Sequence, residues 1–363
     1  MTGLSQLQHI LHDVGEQSVL LPLHTGAAAL ITRRGGRILG LYPDPDAPNL
    51  LWTSKAFESA AAFREFTTRA DGWAWNLGGD RVWIAPEITY NVRDRRDFGG
   101  TWNIPAAMDP GDYQLTAGQG GNEVVLRGAF TLTGYHHGEA LGEAQVALTK
   151  TVYACPNPIA GASLMHGVHY FGYAQDVALE RTNPHAADSL FAEAWNLVQL
   201  NAGGTLILPV IGAVRASDYV GQAPEAARTA HGGVILLPLD GRRQFKVAYK
   251  ALCMTGRIGY WQPLPGGEVA LLVRDFFNDV ANLYAEEPPD QPGITGHSVH
   301  VYNDGGGADN GRPFCEMECS GRTLGLHHDV RRTASADTFR LWAYVGAEDA
   351  IRQVAAAFLV GAP

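Results

Sequence analysis

Apolar runs of strand length recur along this chain at intervals of roughly ten to fifteen residues, and turns rich in Gly, Pro, Asn or Asp close nearly all of them. No strand–helix–strand rhythm accompanies them, which disfavours a parallel doubly wound sheet and points to a large antiparallel sandwich or barrel. The 43 glycines and 20 prolines among 363 residues fit many turns better than long helices. Strand candidates cover 123–127, 145–153, 190–200, 204–209, 233–238, 245–253, 259–262, 268–276, 298–303, 315–319 and 338–345. Residues 27–41 read as a hairpin split at Arg34-Gly35-Gly36. Three stretches have helical spacing instead: about 4–14, with Leu4, Leu7, Ile10, Leu11 and Val14 in register; about 54–70, opening on Ser54 as an N-cap; and about 347–359, with Ile351, Val354, Ala355 and Phe358 on one face. Residues 286–293 and 303–312 read as surface loops within one domain spanning 1–363.

Charge and composition exclude several function classes. The net charge is -10 with only 27 Lys and Arg, so no basic face for nucleic acid is expected. Residues 91–97 hold the one arginine-rich spot, and its interleaved aspartates read as a self-neutralised loop. The first ten residues lack a basic and then apolar leader, and no apolar run nears the roughly 20 residues of a membrane helix. Cys155, Cys253, Cys315 and Cys319 are then read as reduced thiols, and Cys315 and Cys319 are spaced as neither a redox nor a zinc motif. A cytoplasmic bacterial protein is expected, without nucleic-acid or membrane partners; a homodimer is allowed.

The signatures of serine-hydrolase elbows, P-loops, zincins and dinucleotide folds are absent. Two segments carry chemistry. Gly78-Gly79-Asp80-Arg81-Val82-Trp83-Ile84-Ala85-Pro86-Glu87 combines a glycine pair, two acids, an arginine and a tryptophan. Glycines allow close backbone approach to a ligand, and a flat apolar ring beside a forked donor suits a sugar, with its C–H face and polar rim. The bland alternative is a strand with a structural tryptophan. Phe314-Cys315-Glu316-Met317-Glu318-Cys319 is the second segment. As a strand it puts Glu316 and Glu318 on one face and Cys315, Met317 and Cys319 on the core side. Carboxylates held together push one another's pKa upward, which suits acid–base work; a solvated edge is the other reading.

His166-x-x-His169 and His297-x-x-His300 would place each pair's rings on opposite strand faces, so neither pair clamps a metal by itself. One His of each pair meeting Glu316 or Glu318 is the metal alternative; a single His acting as acid or base is preferred, with no cofactor. Trp195-Asn196-Leu197-Val198-Gln199, Trp102-Asn103 and Tyr302-Asn303 supply aromatic and amide pairs of the kind that line sugar clefts. Asn196 and Gln199 either tie loops or touch a ligand.

In order of features the chain resembles the galactose mutarotase-like (aldose 1-epimerase) superfamily over roughly residues 26–346. The Gly78-Gly79 segment with Arg81, Trp83 and Pro86, the 195–199 strand, Gly256-Arg257-Ile258-Gly259-Tyr260, Arg274-Asp275-Phe276 and the 314–318 strand carry the resemblance. It implies a mainly β fold, a large antiparallel supersandwich with a few peripheral helices. It also implies sugar-ring chemistry by a Glu base and a His acid. The late glutamate matches Glu318 best and Glu316 next. His300, His169 or His166 is then the acid, and the Gly-Gly segment lines the pocket with Asp80, Arg81, Trp83 and Glu87. Trp102, Trp195, Asn196 and Tyr302 complete the expected binding residues. The family's Asn-His-x-Tyr-Phe-Asn-Leu motif has only a partial echo in 192–197, without the His. Mutarotation or epimerisation of a sugar or oligosaccharide is the first expectation. Glycoside hydrolysis or elimination, with Glu87 facing Glu316 or Glu318, is the second, and a non-catalytic carbohydrate-binding domain the third. Arg81 and Arg93 are the candidates for reading a sugar carboxylate.

Overall fold

The computed structural model describes residues 3–69, 72–159, 162–183, 190–306 and 311–359. Two nine-stranded sheets, antiparallel throughout, pack face to face. In spatial order the first runs Ser18–Pro22, Ala28–Thr32, Arg37–Tyr42, Asp80–Ala85, Glu193–Asn201, Phe314–Ser320, His297–Asn303, Phe245–Lys250 and Ala216–Val220. The second runs Val234–Leu239, Gly204–Pro209, Arg257–Pro263, Glu268–Phe276, Ala334–Ala347, Val168–Arg181, Glu139–Ala154, Glu123–His136 and Gln114–Ala117. The large antiparallel sandwich expected from the turn rhythm is the architecture observed. We call the first sheet the site sheet and the second the back sheet.

The main core fills the space between the sheets, and period-two alternation explains how these sequences form it. Cys315, Met317 and Cys319 join Val198, Val247, Val299 and Val301 from the site sheet; Leu126, Val146, Phe171 and Tyr173 meet them from the back sheet. Two further apolar clusters lie outside the sandwich. The helix Glu348–Phe358 covers the outer face of the back sheet with Ile351, Val354 and Ala355 against Trp342 and Tyr344. The helix Leu4–Asp13 packs Leu4, Leu7, Ile10 and Leu11 against Leu30, Leu39 and Phe63. Among the described residues no helix is long and apolar enough to cross a membrane, and all four cysteines are free and buried.

Several elements depart from expectation. The helix placed at 54–70 is two pieces, a 3-10 turn at Lys55–Glu58 and a helix at Ala60–Thr67. Ser59 interrupts them in an extended conformation (φ -161°) while its hydroxyl caps the second piece at the Ala62 amide. Ala70 lies outside the described residues. The 123–127 strand extends to His136 and forms a long hairpin with Glu139–Ala154, bulged at Gly134/Tyr135. Val168–Arg181, whose His, Gly and polar residues blur its alternation, is a full strand beside the C-terminal one.

Candidate active site

The outer face of the site sheet carries two cross-strand rows. One runs Gln199, Glu316, Tyr302, Lys246; the next runs Arg81, Leu197, Glu318, His300, Ala248. Directly paired residues in antiparallel strands point to the same face, so the register alone gathers these groups. Arg81, Trp83, Trp195, Lys246, Tyr302 and Glu316 form the floor of a cavity of about 270 Å³. Trp73, Trp75, Glu87, Phe98 and Trp102 complete its walls. Glu87 opens the single helical turn Glu87–Tyr90, just beyond the Asp80–Ala85 strand.

Each carboxylate on this wall is held by a cation. Arg81 Nη2 donates to Glu316 Oε1 at 3.0 Å, while its guanidinium lies 4.1 Å over the Trp83 ring. Lys246 Nζ lies 2.8 Å from Glu87 Oε2 and 3.2 Å from Glu318 Oε2, with the Trp195 ring 4.5 Å beneath it. Two indoles orient the same acids: Trp102 Nε1 donates to Glu87 Oε1 at 2.8 Å and Trp195 Nε1 to Glu318 Oε2 at 3.0 Å. A fourth carboxyl, Glu286, accepts from the backbone amides of Glu87 and Ile88 and so fixes the turn that presents Glu87.

Four buried carboxyls share two cations here, and the electrostatics follow from that ratio. Burial pushes Glu318 up to about 7 against the pull of Lys246, with Glu316 and Glu87 adding to the rise. Burial, and then the Glu87 carboxylate, hold Glu286 well above the usual range. Burial opposes the charge on Lys246, but the carboxylates of Glu318 and Glu87 outweigh it and hold the ammonium above its ordinary value. His300, fully enclosed and near Lys246, is driven well below the ordinary imidazole range and is neutral. Neither His300 ring nitrogen has a hydrogen-bond partner among the described residues, and Glu318 Oε1 has none either.

The H-x-x-H expectation is corrected on one strand. Ser298 is an extra residue in the pairing with Phe245–Lys250, and this bulge turns His297 onto the same face as His300. Their ring centroids are 6.3 Å apart and the Tyr219 ring meets both edge-on. His297 is tied to Tyr219 and Ser217, and burial lowers it to about 3. His169 belongs to the back sheet, where it contacts Thr25 at 2.5 Å, and His166 is exposed on a turn. Neither approaches the cavity. Among the described residues no group of three His, Cys, Asp or Glu is arranged to hold a metal ion.

Asp80 and Asn196 are also corrected. Both alternate inward, between the sheets, where Asp80 bonds Asn196, Tyr173, Gln175 and Arg274 at 2.6–2.8 Å. The glycine pair serves the chain's own packing rather than a ligand. Gly78 and Gly79 have φ of 102° and 81°, and a Cβ on either would fall on the backbone of Trp52 or Ile38. Gln199 ties a loop through Asn76 at 2.9 Å. Arg95 pairs with Glu287, Arg96 with Asp94, and Arg93 lies over Tyr135, all outside the cavity. Thus the cavity gathers Arg81, Trp83, Glu87, Trp102, Trp195, Tyr302 and Glu316 on its surface, with Glu318 and His300 behind it.

Sequence reasoning passed over Lys246, Glu286, Trp73 and Trp75. Lys246 had a signal: in Phe245-Lys246-Val247-Ala248-Tyr249 it stands alone, charged, on the face opposite three large apolar residues. Glu286 had none, because Glu286-Glu287-Pro288-Pro289 has the composition of a loop.

Comparison with known proteins places the chain in a family without assigning it an activity. No curated protein matches the sequence. Among solved structures, a galactose 1-epimerase from Lactobacillus acidophilus is similar at 7% identity and a TM-score of 0.43, with 92% of this chain and 95% of that one covered. A GalM/aldose epimerase homologue from C. elegans is similar at 8% identity and a TM-score of 0.41, with 92% of this chain and 100% of that one covered. The Slr1438 protein from Synechocystis sp. PCC 6803 is similar at 12% identity and a TM-score of 0.40, with 91% and 95% covered. No residue role passes across likenesses this distant. Residues 68–360 match a family described as a family of unknown function (DUF6786), and the chain belongs to that family.

Proposed function

We propose that this family member is a carbohydrate-active enzyme, with the tryptophan-walled cavity as its sugar site and Glu87 and Glu316 as the groups that exchange protons with the sugar. One observation carries the reading: two carboxylates, each fixed by a cation, stand on the wall of an aromatic cavity. Aromatic rings suit the C–H face of a sugar ring, and carboxylates suit its hydroxyls. Mutarotation needs one group to take the proton of the anomeric hydroxyl while another delivers a proton to the ring oxygen, which opens the ring; the reverse transfers close it on the other face. Glu87 and Glu316, reaching the cavity from separate elements, are the two groups placed to supply both halves. Glu318 has no exposed surface, so in this reading it is a positioning residue. Its proton, held up to about pH 7, acts on Glu87 through the shared Lys246 ammonium.

Glycoside cleavage by the same pair is the second reading. What favours it is that Glu87 and Glu316 reach the cavity from separate elements rather than side by side on one strand. The buried acids count against a non-catalytic binding domain, which has no need to keep carboxyls out of water at a cost of several kcal/mol each.

Proton NMR of freshly dissolved monosaccharides and oligosaccharides tests the reading, with wild type beside Glu316→Gln and Glu87→Gln. Faster anomeric equilibration without bond cleavage, lost in either variant, is the expected result. New reducing ends or unsaturated signals would move the assignment to cleavage. Full activity in both variants would remove Glu87 and Glu316 from the chemistry.

A further inference from the structure

Five of the eight tryptophans form one continuous ladder from the acids to the protein surface. Trp195 meets Trp83 at 5.8 Å between ring centroids, Trp83 meets Trp75 at 5.1 Å, and Trp75 meets both Trp102 and Trp73 at 5.6 Å. The ladder changes character along its length. Trp195 is buried beside Lys246 and Glu318 and Trp83 is buried under the Arg81 guanidinium, while Trp73 is 38% exposed at the mouth. Trp102, which donates to Glu87, is the ring next to Trp73, at 5.9 Å. A sugar unit seated against Glu87 therefore has one further indole immediately outside it. Phe98 and Gly99 line the same mouth on a short helical turn.

The charges of the cavity narrow the ligand further. Arg81 and Lys246, the cations of its wall, are already bonded to Glu316, Glu87 and Glu318, and a fourth carboxyl, Glu286, lies behind them. A uronate or phosphate entering the cavity would set its charge against Glu87 and Glu316, the carboxylates that line it, and like charges brought together in a water-poor site repel strongly.

Resting on the sugar-enzyme reading above, we propose that the substrate is a neutral oligosaccharide. Its reacting unit lies between Glu87 and Glu316, and its next unit stacks on Trp73 at the mouth. A free monosaccharide fills only the inner part of the ladder and leaves the exposed indole unused.

Calorimetric titration tests this with wild type, Trp73→Ala and Trp73→Phe. The probes are glucose-, xylose-, mannose- and galactose-based sugars of one, two and three units, with galacturonate oligomers as the charged arm. In the neutral series that binds, two units are expected to bind about tenfold more tightly than one. Trp73→Ala removes that gain, lowering the affinity for two units more than the affinity for one, and Trp73→Phe keeps most of the gain. Equal affinity at all lengths, an equal loss for one and two units in Trp73→Ala, or tighter binding of the galacturonate series would each overturn the proposal while leaving the sugar-enzyme reading standing. Absence of binding by any sugar, with no NMR-detected turnover, would overturn both. Circular dichroism of the variants separates misfolding from lost contact.

Discussion

The two faces of the site sheet bury charge in different ways. On the inner face Asp80 has both oxygens engaged: Oδ1 by Asn196, Oδ2 by Tyr173, Gln175 and Arg274. The Asp80 carboxylate answers the Arg274 guanidinium directly, the buried Lys150 ammonium also attracts it, and three of its four hydrogen-bond partners come from the back sheet. On the outer face four carboxyls answer two cations and a cavity opens directly above; among the described residues both faces hold polar atoms without partners, Glu318 Oε1 and the His300 nitrogens on this one, Arg274 Nε and Nη1 and Gln175 Oε1 on the other. Both faces bury these groups, so burial alone does not separate them. The ratio of acids to bases does. A matched pair crossing the core ties two sheets together; an unmatched cluster retains protons near neutral pH and has chemistry to offer.

The largest test of this contrast is Asp80→Ala. It leaves the Arg274 charge uncompensated in the core, and breaking a buried pair from one side costs about 3–5 kcal/mol. Urea unfolding should show a loss of that size, with activity per folded molecule unchanged. Glu316→Gln reverses the pattern: a fall in turnover of about 100-fold or more, with a much smaller change in the unfolding midpoint. If Asp80→Ala folds as well as wild type, the division between faces fails.

The pH dependence sharpens the comparison. Glu318 titrates near 7 in the fold and near 4.5 when unfolded, so the folded state holds the extra proton between those values. Its contribution to stability is present below about pH 4.5 and is lost as pH rises through about 7. Glu193, raised by burial to about 7, acts in the same direction. His297, lowered to about 3, acts oppositely and contributes stability that grows as pH rises from 3 to 6.5. These slopes overlap, so the readout is the difference between Glu318→Gln and wild type. The variant should gain relative to wild type by about 2–3 kcal/mol between pH 5 and 8, and a flat difference would remove Glu318 from the set of proton-retaining groups. The smallest effect belongs to His169→Ala on the back sheet, which loses a half-exposed contact to Thr25 and a ring contact to Phe171. Stability should change by less than about 1 kcal/mol, and turnover not at all.

Much of this was legible in the sequence where one period governs a whole element. The alternation in Phe314-Cys315-Glu316-Met317-Glu318-Cys319 gives the inward and outward sets directly, and the 3.6-residue spacing of Ile351, Val354 and Ala355 gives the last helix. The same alternation, applied at 80–83, would have sent Asp80 inward and Arg81 outward; a sugar-site pattern drawn across all ten residues hid that. Two kinds of information were not local. Ser298 bulges only because of how its strand meets Phe245–Lys250, and that one residue moves His297 to the other face. Glu286 becomes a buried acid only because a turn more than 190 residues away in the chain offers it two amides.

Glu316 and Glu318 lie on the sixth of nine strands, hydrogen-bonded on both sides along most of their length. Trp73 and Phe98 sit on short connecting segments with few ladder bonds. Amides in the middle of such a ladder are released to solvent only when the fold as a whole opens, while short segments open by themselves. The two parts of the site therefore differ in how they open: Glu316 and Glu318 keep their spacing for the lifetime of the folded state, while the mouth can open locally within it. Sugar units can then come and go at Trp73 without disturbing the central strand that carries Glu316.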